Sequence, residues 1–387
     1  MDENALTEDW QTLAAYLPAD LEGSAWQHRF VQRSTGRQDA AMWLRLILMH
    51  AAGGLSLAQT VTRAKVRRWA SVSAVALHKR LRTAGPWLQA LTHHLVAAQR
   101  RALAPLPALQ GKVLRIVDAT DIQEPGSTGT DWRLHYSLRL PDLVCDYFEL
   151  TDAHGGERLG RFVFAPGEVV LADRGYCHRA GVAQALDAGA DVVVRLVPTN
   201  FPLLDGRGRP FDVLARCAGL QPGQKRAWPV WFEHGGRRRP LRLCVLRKPE
   251  NATQEARRKL RQKAARNGVA LQEQTLQSAA LVLLLTSVPA THWSTTQVLE
   301  VYRSRWQIEL VFKRLKSLLQ AGHVPKSSDP SARAWLQAKV LTALLIESLL
   351  CERRSFSPLQ RPGGMSSRAG TCIGKRWMRW WPCWPRP

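Results

Sequence analysis

The residues best spaced for joint chemistry lie in VYRSRWQIELVFKRLKSLL, where Tyr302, Arg305, Glu309 and Lys316 stand at offsets of 3, 7 and 14. At roughly 100° per residue, a helix would gather these four into an arc of about 60°. A neighbouring apolar stripe of Val301, Ile308, Phe312, Leu315 and Leu319 would pack on a sheet and hold Glu309 at the sheet's rim. A carboxylate flanked by Arg305 and Lys316 suits a site that binds both a metal ion and a phosphodiester. The same spacing also fits a surface ion pair of Glu309 with Arg305 or Lys313, contributing about 0.3–0.5 kcal/mol.

Two further carboxylates are expected at or near strand ends. Asp118 lies in IVDAT, and Asp121, three residues on, is the alternative acid there. Asp173 follows the apolar run VVLA and precedes Arg174-Gly175. It is either turn chemistry or a group placed where α/β sites gather, at the end of a strand.

The elements that must position these groups follow from periodicity. Apolar residues recur three and four apart through AAMWLRLILMHAAG and ALHKRLRTAGPWLQALTHHLVAAQRRAL, which predicts helices over residues 40–104. Between them two short amphipathic segments meet near Ser71, and Ser71 or Ser73 is placed to cap the second. That layout suits a helix-turn-helix presenting His78, Lys79, Arg80 and Arg82 to a major groove, or a helical bundle with a solvated basic face. After ALAPLPALQG, three runs (KVLRIVDATDI, DWRLHYSLRL and LVCDYFELTD) read as an antiparallel meander. EVVLADRGY, the helical RAGVAQALDAGA and DVVVRLV then complete a mixed α/β sheet covered by helices. ALVLLLTSV reads as a buried strand, and a long helix is expected from near Ser294 to about Leu319.

Charge points to the partner. The 387 residues carry 55 Lys and Arg against 31 Asp and Glu, a formal net charge of +24, beyond what solubility requires. A polyanion is the natural partner, and DNA or RNA the usual one. Of that excess, +11 falls between Lys225 and Arg266, with Trp228, Trp231 and Phe232 nearby, the composition of a nucleic-acid surface. The seven cysteines show no CxxC pair, which argues for a reducing compartment and against structural zinc. The N-terminal MDENALTEDWQTL lacks the order of a signal peptide, and the longest apolar runs fall short of the ~20 residues of a bilayer span. The expected location is a reducing cytoplasm, without a membrane partner.

The spacing Y-x2-R-x3-E-x6-K, met without a gap by Tyr302, Arg305, Glu309 and Lys316, resembles the DDE transposases of bacterial insertion sequences, within them the insertion-sequence-four group. The resemblance covers about residues 40–350 and includes IVDAT, DWRLHYSL, LADRGY and LLLTSVP. It implies that Asp118, Asp173 and Glu309 are the catalytic carboxylates and the ligands of two Mg²⁺ ions, with Mn²⁺ as a substitute. Cutting DNA and joining its 3′ hydroxyl are in-line displacements that two divalent ions assist, and hard cations take oxygen ligands. Tyr302, Arg305, Lys316 and Arg174 would then grip phosphates, with Lys79, Arg80 and Arg82 reading DNA from the helical region. The implied partners are double-stranded DNA, as terminal inverted repeats and as target, and a second copy of the chain in a synaptic homodimer.

The implied fold is RNase H-like and is interrupted by a β-rich insertion. Its parts are a helical N-terminal domain (1–109), a first core half (110–198), a basic β-rich insertion (199–278), a second core half with the Glu helix (279–350) and a tail (351–387). The tail holds eight basic residues, one acidic residue and four tryptophans without visible period. It does not resemble the family's helical ending; a frameshift or early stop is the expectation, and a native basic-aromatic DNA-binding tail the alternative. The alternative function is a catalytically silent copy that occupies element ends and inhibits transposition. A nuclease that only hydrolyses is a third reading.

Overall fold

The structure, a computed structural model, describes residues 10–31, 39–101, 112–140, 143–317, 319–325 and 329–355. In chain order its main elements begin with α1 (Leu21–Gln27), α2 (Ala40–Gly53), α3 (Leu57–Val66), α4 (Ala74–Thr83) and α5 (Gly85–Arg101). Then come β1 (Val113–Ile122), β2 (Trp132–Leu140), β3 (Val144–Asp152), β4 (Glu168–Ala172), α6 (Arg179–Asp187), β5 (Asp191–Arg195) and α7 (Val213–Cys217). The rest are β6 (Lys225–His234), β7 (Arg237–Arg247), α8 (Glu250–Asn267), α9 (Glu273–Ser278), β8 (Leu281–Thr286), α10 (Thr295–Arg303), α11 (Trp306–Ser317) and α12 (Asp329–Ser355). The eight strands follow the order β3-β2-β1-β4-β5-β8-β7-β6, so the fold is the expected mixed α/β sheet with helices. The ALAPLPALQG linker and the tail beyond Ser355 lie outside the described residues.

The chain divides into two compact units. The first comprises residues 1–104, 117–157 and 306–360, and the second residues 105–116, 158–305 and 361–387. This differs from the boundary expected near residue 109. The helices before it share a unit with β2, β3 and α12 because their apolar faces are buried there: α12 packs on α2, α4 and α5. Trp43, Leu77, Leu81, Trp87 and Leu91 are buried on one side of that packing, and Ala334, Ala338, Leu341 and Leu345 on the other, the latter at helical spacing. Phe30 stacks on Trp87 at 4.4 Å. Local signals start the helices: Ser56 and Gln59 form a reciprocal capping box at α3, and of the two caps expected for α4 it is Ser73, not Ser71, that accepts from the Ala76 N–H at 3.1 Å.

In the same unit β2 and β3 pair antiparallel from Trp132↔Asp152 to Arg139↔Val144. Beside them Glu347 of α12 accepts from the Tyr136 hydroxyl at 3.4 Å, among buried Tyr136 and Cys145. Burial pushes the Glu347 carboxyl up from 4.5 to about 7, against smaller opposing hydrogen bonds from Cys145 and Tyr136. A carboxyl whose pKa is raised by folding contributes stability that is complete below its unfolded value and is lost as pH rises through the folded one. Stability should therefore fall by up to ~3 kcal/mol between about pH 4.5 and 8. Glu347→Gln should flatten that slope in denaturation curves, and an unchanged slope would refute the assignment.

The second unit carries the parallel pair β4–β5, registered Val169↔Asp191 to Ala172↔Val194. β8 lies antiparallel between β5 and β7. Strands covered on both faces read as continuous apolar runs, which is why LVLLLT is buried nearly throughout. The segment expected as a β-rich insertion is more mixed. β6 and β7 form a hairpin from Lys225↔Leu246 to His234↔Arg237, turning at Gly235-Gly236, both with positive φ, as a two-residue hairpin turn requires. The hairpin extends the sheet beside β8, and much of the remainder is helical: α8 is 18 residues long and stops at Gly268 in the left-handed conformation. Among the described residues no helix is long and apolar enough to cross a membrane.

Candidate functional site

The single long helix expected around Glu309 is two helices. α10 starts on the Ser294/Gln297 capping box. It ends where the Ser304 hydroxyl donates to Val301 O at 2.6 Å, while the N–H groups of Ser304 and Arg305 donate three residues back, to Val301 O and Tyr302 O. A serine bonding back to its own helix competes with the regular ladder, and here the ladder stops. Tyr302 thus sits on α10, Arg305 in the turn, and Glu309 and Lys316 on α11. The angular argument that put all four on one stripe does not carry across that break.

In the second unit, β4 delivers Asp173 at its carboxyl end, followed by a 3-10 turn over Arg174–Tyr176. The Tyr302 hydroxyl donates to Asp173 Oδ1 at 3.3 Å. Burial, then the Asp173 charge, raises the Tyr302 phenol above its ordinary value, so the hydroxyl keeps its proton and acts as a donor. Arg174 is lowered, first by desolvation and then by Arg195, against the opposing pull of Asp173 and Tyr302. Tyr302, expected to grip phosphate, thus also orients an acid. If Asp173 holds a metal ion, Tyr302→Phe should raise the metal concentration needed for half-maximal cleavage by about 10-fold or more. An unaltered metal requirement would remove Tyr302 from this role.

In the first unit, Asp118 is half-buried on β1 and its Oδ1 accepts from the Ala119 N–H at 2.9 Å. The rival Asp121 is exposed and paired with Arg133 at 3.0 Å. Glu309 is an exposed residue in the first turn of α11, whose adjoining face buries Ile308, Val311, Phe312 and Leu315. Phe312 meets Tyr136 of β2 edge-on at 6.1 Å, so the apolar stripe packs on a strand as expected. Lys316 is exposed in the last turn of α11. On α4, Lys79 and Arg82 are exposed. Arg80 turns inward: it donates to Phe30 O at 2.8 Å and lies 5.5 Å from the Trp43 ring, so its guanidinium serves the fold.

Carboxylate oxygens are the donors a hard divalent cation takes, and Asp118, Asp173 and Glu309 each offer that donor type. Among the described residues, no three His, Cys, Asp or Glu side chains are grouped so as to hold a metal. The basic span from Lys225 to Arg266 is partly structural. Arg239 pairs with Asp187, Arg242 donates to Val288 O and Trp293 O, and Arg238 lies 5.1 Å from the Trp231 ring. Sequence reasoning missed Arg195 and Lys248, which come to the same strand ends as Arg174; only the strand order could have revealed them.

An α/β chain with an acid on the end of a central strand, a tyrosine bonded to it and arginines alongside is fitted to act on phosphate esters. Residues 150–346 match the transposase DDE domain, and the chain belongs to that family: it is an insertion-sequence transposase, a nuclease and strand-transferase enzyme. The chain is 35% identical over 360 residues to the transposase for insertion sequence element IS421 of Escherichia coli, covering 91% of this chain and 96% of that one. It is equally close to InsL of insertion sequence element IS186A from Escherichia coli (strain K12), at 35% over 359 residues with the same coverage. A more distant relative is the transposase for IS231B of Bacillus thuringiensis subsp. berliner, 23% identical and covering 49% of this chain and 43% of that one. Among solved structures, the piggyBac transposase synaptic complex with hairpin DNA aligns with a TM-score of 0.44 at 10% identity, over 95% of this chain and 83% of that chain.

Proposed function

We propose that the chain is a cut-and-paste transposase of the insertion-sequence-four group, with an RNase H-like core, acting on the inverted repeats of its own element. Asp118, Asp173 and Glu309 are assigned as the acids that hold two Mg²⁺ ions, with Mn²⁺ able to replace them. The observation that carries the reading is the Tyr302–Asp173 hydrogen bond, because it joins the Y-x2-R-x3-E-x6-K motif to one of the acids the resemblance names. When bound, the ions would supply positive charge at the reacting phosphorus and its attacking and leaving oxygens. The protein's own contribution is positional: Tyr302 fixes the Asp173 carboxylate, while Arg174, Arg305 and Lys316 hold phosphate oxygens beside the scissile bond. Lys79 and Arg82 on α4 would contact the element end from the helical N-terminal region, with Arg80 bracing that helix. The active species is taken to be a homodimer on paired ends, in the bacterial cytoplasm at the nucleoid.

The test is purified full-length chain with labelled inverted-repeat duplexes and target DNA, with and without Mg²⁺ or Mn²⁺. The expected result is metal-dependent nicking followed by joined products. Nicks without joining would make it a hydrolytic nuclease of the same fold. A gel shift with no nick in either metal would make it a silent occupant of element ends.

A further inference from the structure

The second unit brings three cations to one sheet edge by strand direction alone. β4 and β5 are parallel, and β7, antiparallel to β8, which is itself antiparallel to β5, runs the same way as both. Their carboxyl ends therefore face one edge. Arg174 follows β4, Arg195 is the last residue of β5, and Lys248 comes directly after β7. A pocket opens at this edge, lined by Arg174, Arg195, Val197, Pro198, Ser278 and Leu281 among others. Lys248 Nζ donates to Ala279 O at 2.6 Å, next to the pocket-lining Ser278.

Arg195 and Lys248 are each half-buried, and the three charges feel one another. Desolvation, then Arg195 and Arg174, brings the Lys248 ammonium down to about 8. Crowding like charges at a partly desolvated edge is unfavourable, and an anion entering the pocket would relieve it. We propose that Arg174, Arg195 and Lys248 form a phosphate pocket that seats a backbone phosphodiester of the bound DNA. Two guanidinium forks and one ammonium match a tetrahedral anion, and the carboxyl edge of an α/β sheet is where such ligands gather. The pocket deepens the transposase reading and rests on it for the identity of the phosphate as DNA.

The experiment compares full-length wild type with Arg195→Gln, Lys248→Met and Arg266→Gln, the last removing an exposed cation on α8. Two quantities are read: the salt dependence of element-end duplex binding, and the shift in Tm with inorganic pyrophosphate. Each pocket variant should lower the slope of log K against log salt by about 0.9, one phosphate contact, and should lose the pyrophosphate shift. Arg266→Gln should keep that shift, and Lys248→Arg should restore it. Should Lys248→Met fail to fold, Arg195→Gln decides alone. Wild-type slopes and shifts in the pocket variants would overturn the pocket and leave the transposase reading intact. A pyrophosphate shift confined to chains with the pocket intact, in a protein that cuts no element end, would overturn that reading and leave the pocket.

Discussion

Asp118→Asn, Asp173→Asn and Glu309→Gln are each expected to reduce element-end cleavage by about a thousandfold or more, equivalent to ~4 kcal/mol of transition-state stabilisation. The amide keeps the size of the carboxylate and one of its oxygens but loses the charge that a hard cation requires. Duplex affinity should stay within a few fold of wild type, because removing a negative charge from a chain of net charge +24 does not weaken attraction to phosphate. Asp121→Asn provides the contrast. Its exposed pair with Arg133 should contribute at most ~1 kcal/mol to stability and nothing to cleavage. Single-turnover cleavage and gel shift on the same preparations would check all four. If any of the first three cleaves within tenfold of wild type, that acid leaves the catalytic set; if Asp121→Asn is the inactive one, the strand's ligand is Asp121.

Arg115→Ala should be the most damaging of the substitutions away from that chemistry. The Arg115 side chain is 0% exposed, and its Nη1 donates to Glu168 Oε2 at 2.8 Å and to Val163 O at 2.7 Å. The Phe164 ring lies 5.6 Å from the guanidinium. Removing one partner of a buried pair strands the other, at a typical cost of ~3–5 kcal/mol, when a whole domain's stability is only ~5–15 kcal/mol. Arg115→Met with Glu168→Gln should recover part of the loss, since no buried charge is left behind. Chemical denaturation would show it. A single-variant loss below ~1 kcal/mol would mean that water or a neighbour replaces the pair.

Where sequence and structure agree, the signal was local. The runs of β1 to β5 and β8 announced themselves by β-branched content and alternation, and α4 and α10 by serines just before their first residues. The strand-end position of Asp173 was legible because the end of an apolar run can be read, whereas Asp118 lies inside β1, which continues to Ile122, because the alternating run extends past IVDAT. The break at Ser304 was not legible, because a serine inside a helical pattern looks the same whether it faces solvent or bonds back to Val301. Arg80 counted as part of a basic face, and nothing near it in sequence foretold a carbonyl fifty residues away. β6 and β7 contain Pro229 and Pro240, which argue against central strands. The sheet accommodates both: Pro229 is on the outermost strand, and Pro240 precedes the stretch of β7, Arg242–Arg247, that pairs with β8.

That outermost strand has a bearing on how the protein behaves in quantity. β6 closes the strand order on its side, where Leu204 bridges to it at Trp231, and a strand border left open beyond such a bridge is a template on which a second chain can polymerise. Lys225, Arg226, Pro229 and Glu233 are all exposed or half-exposed along it. Charges repel an incoming strand, and the proline offers it no N–H. The protein therefore carries, along that border, a built-in resistance to sticking to itself.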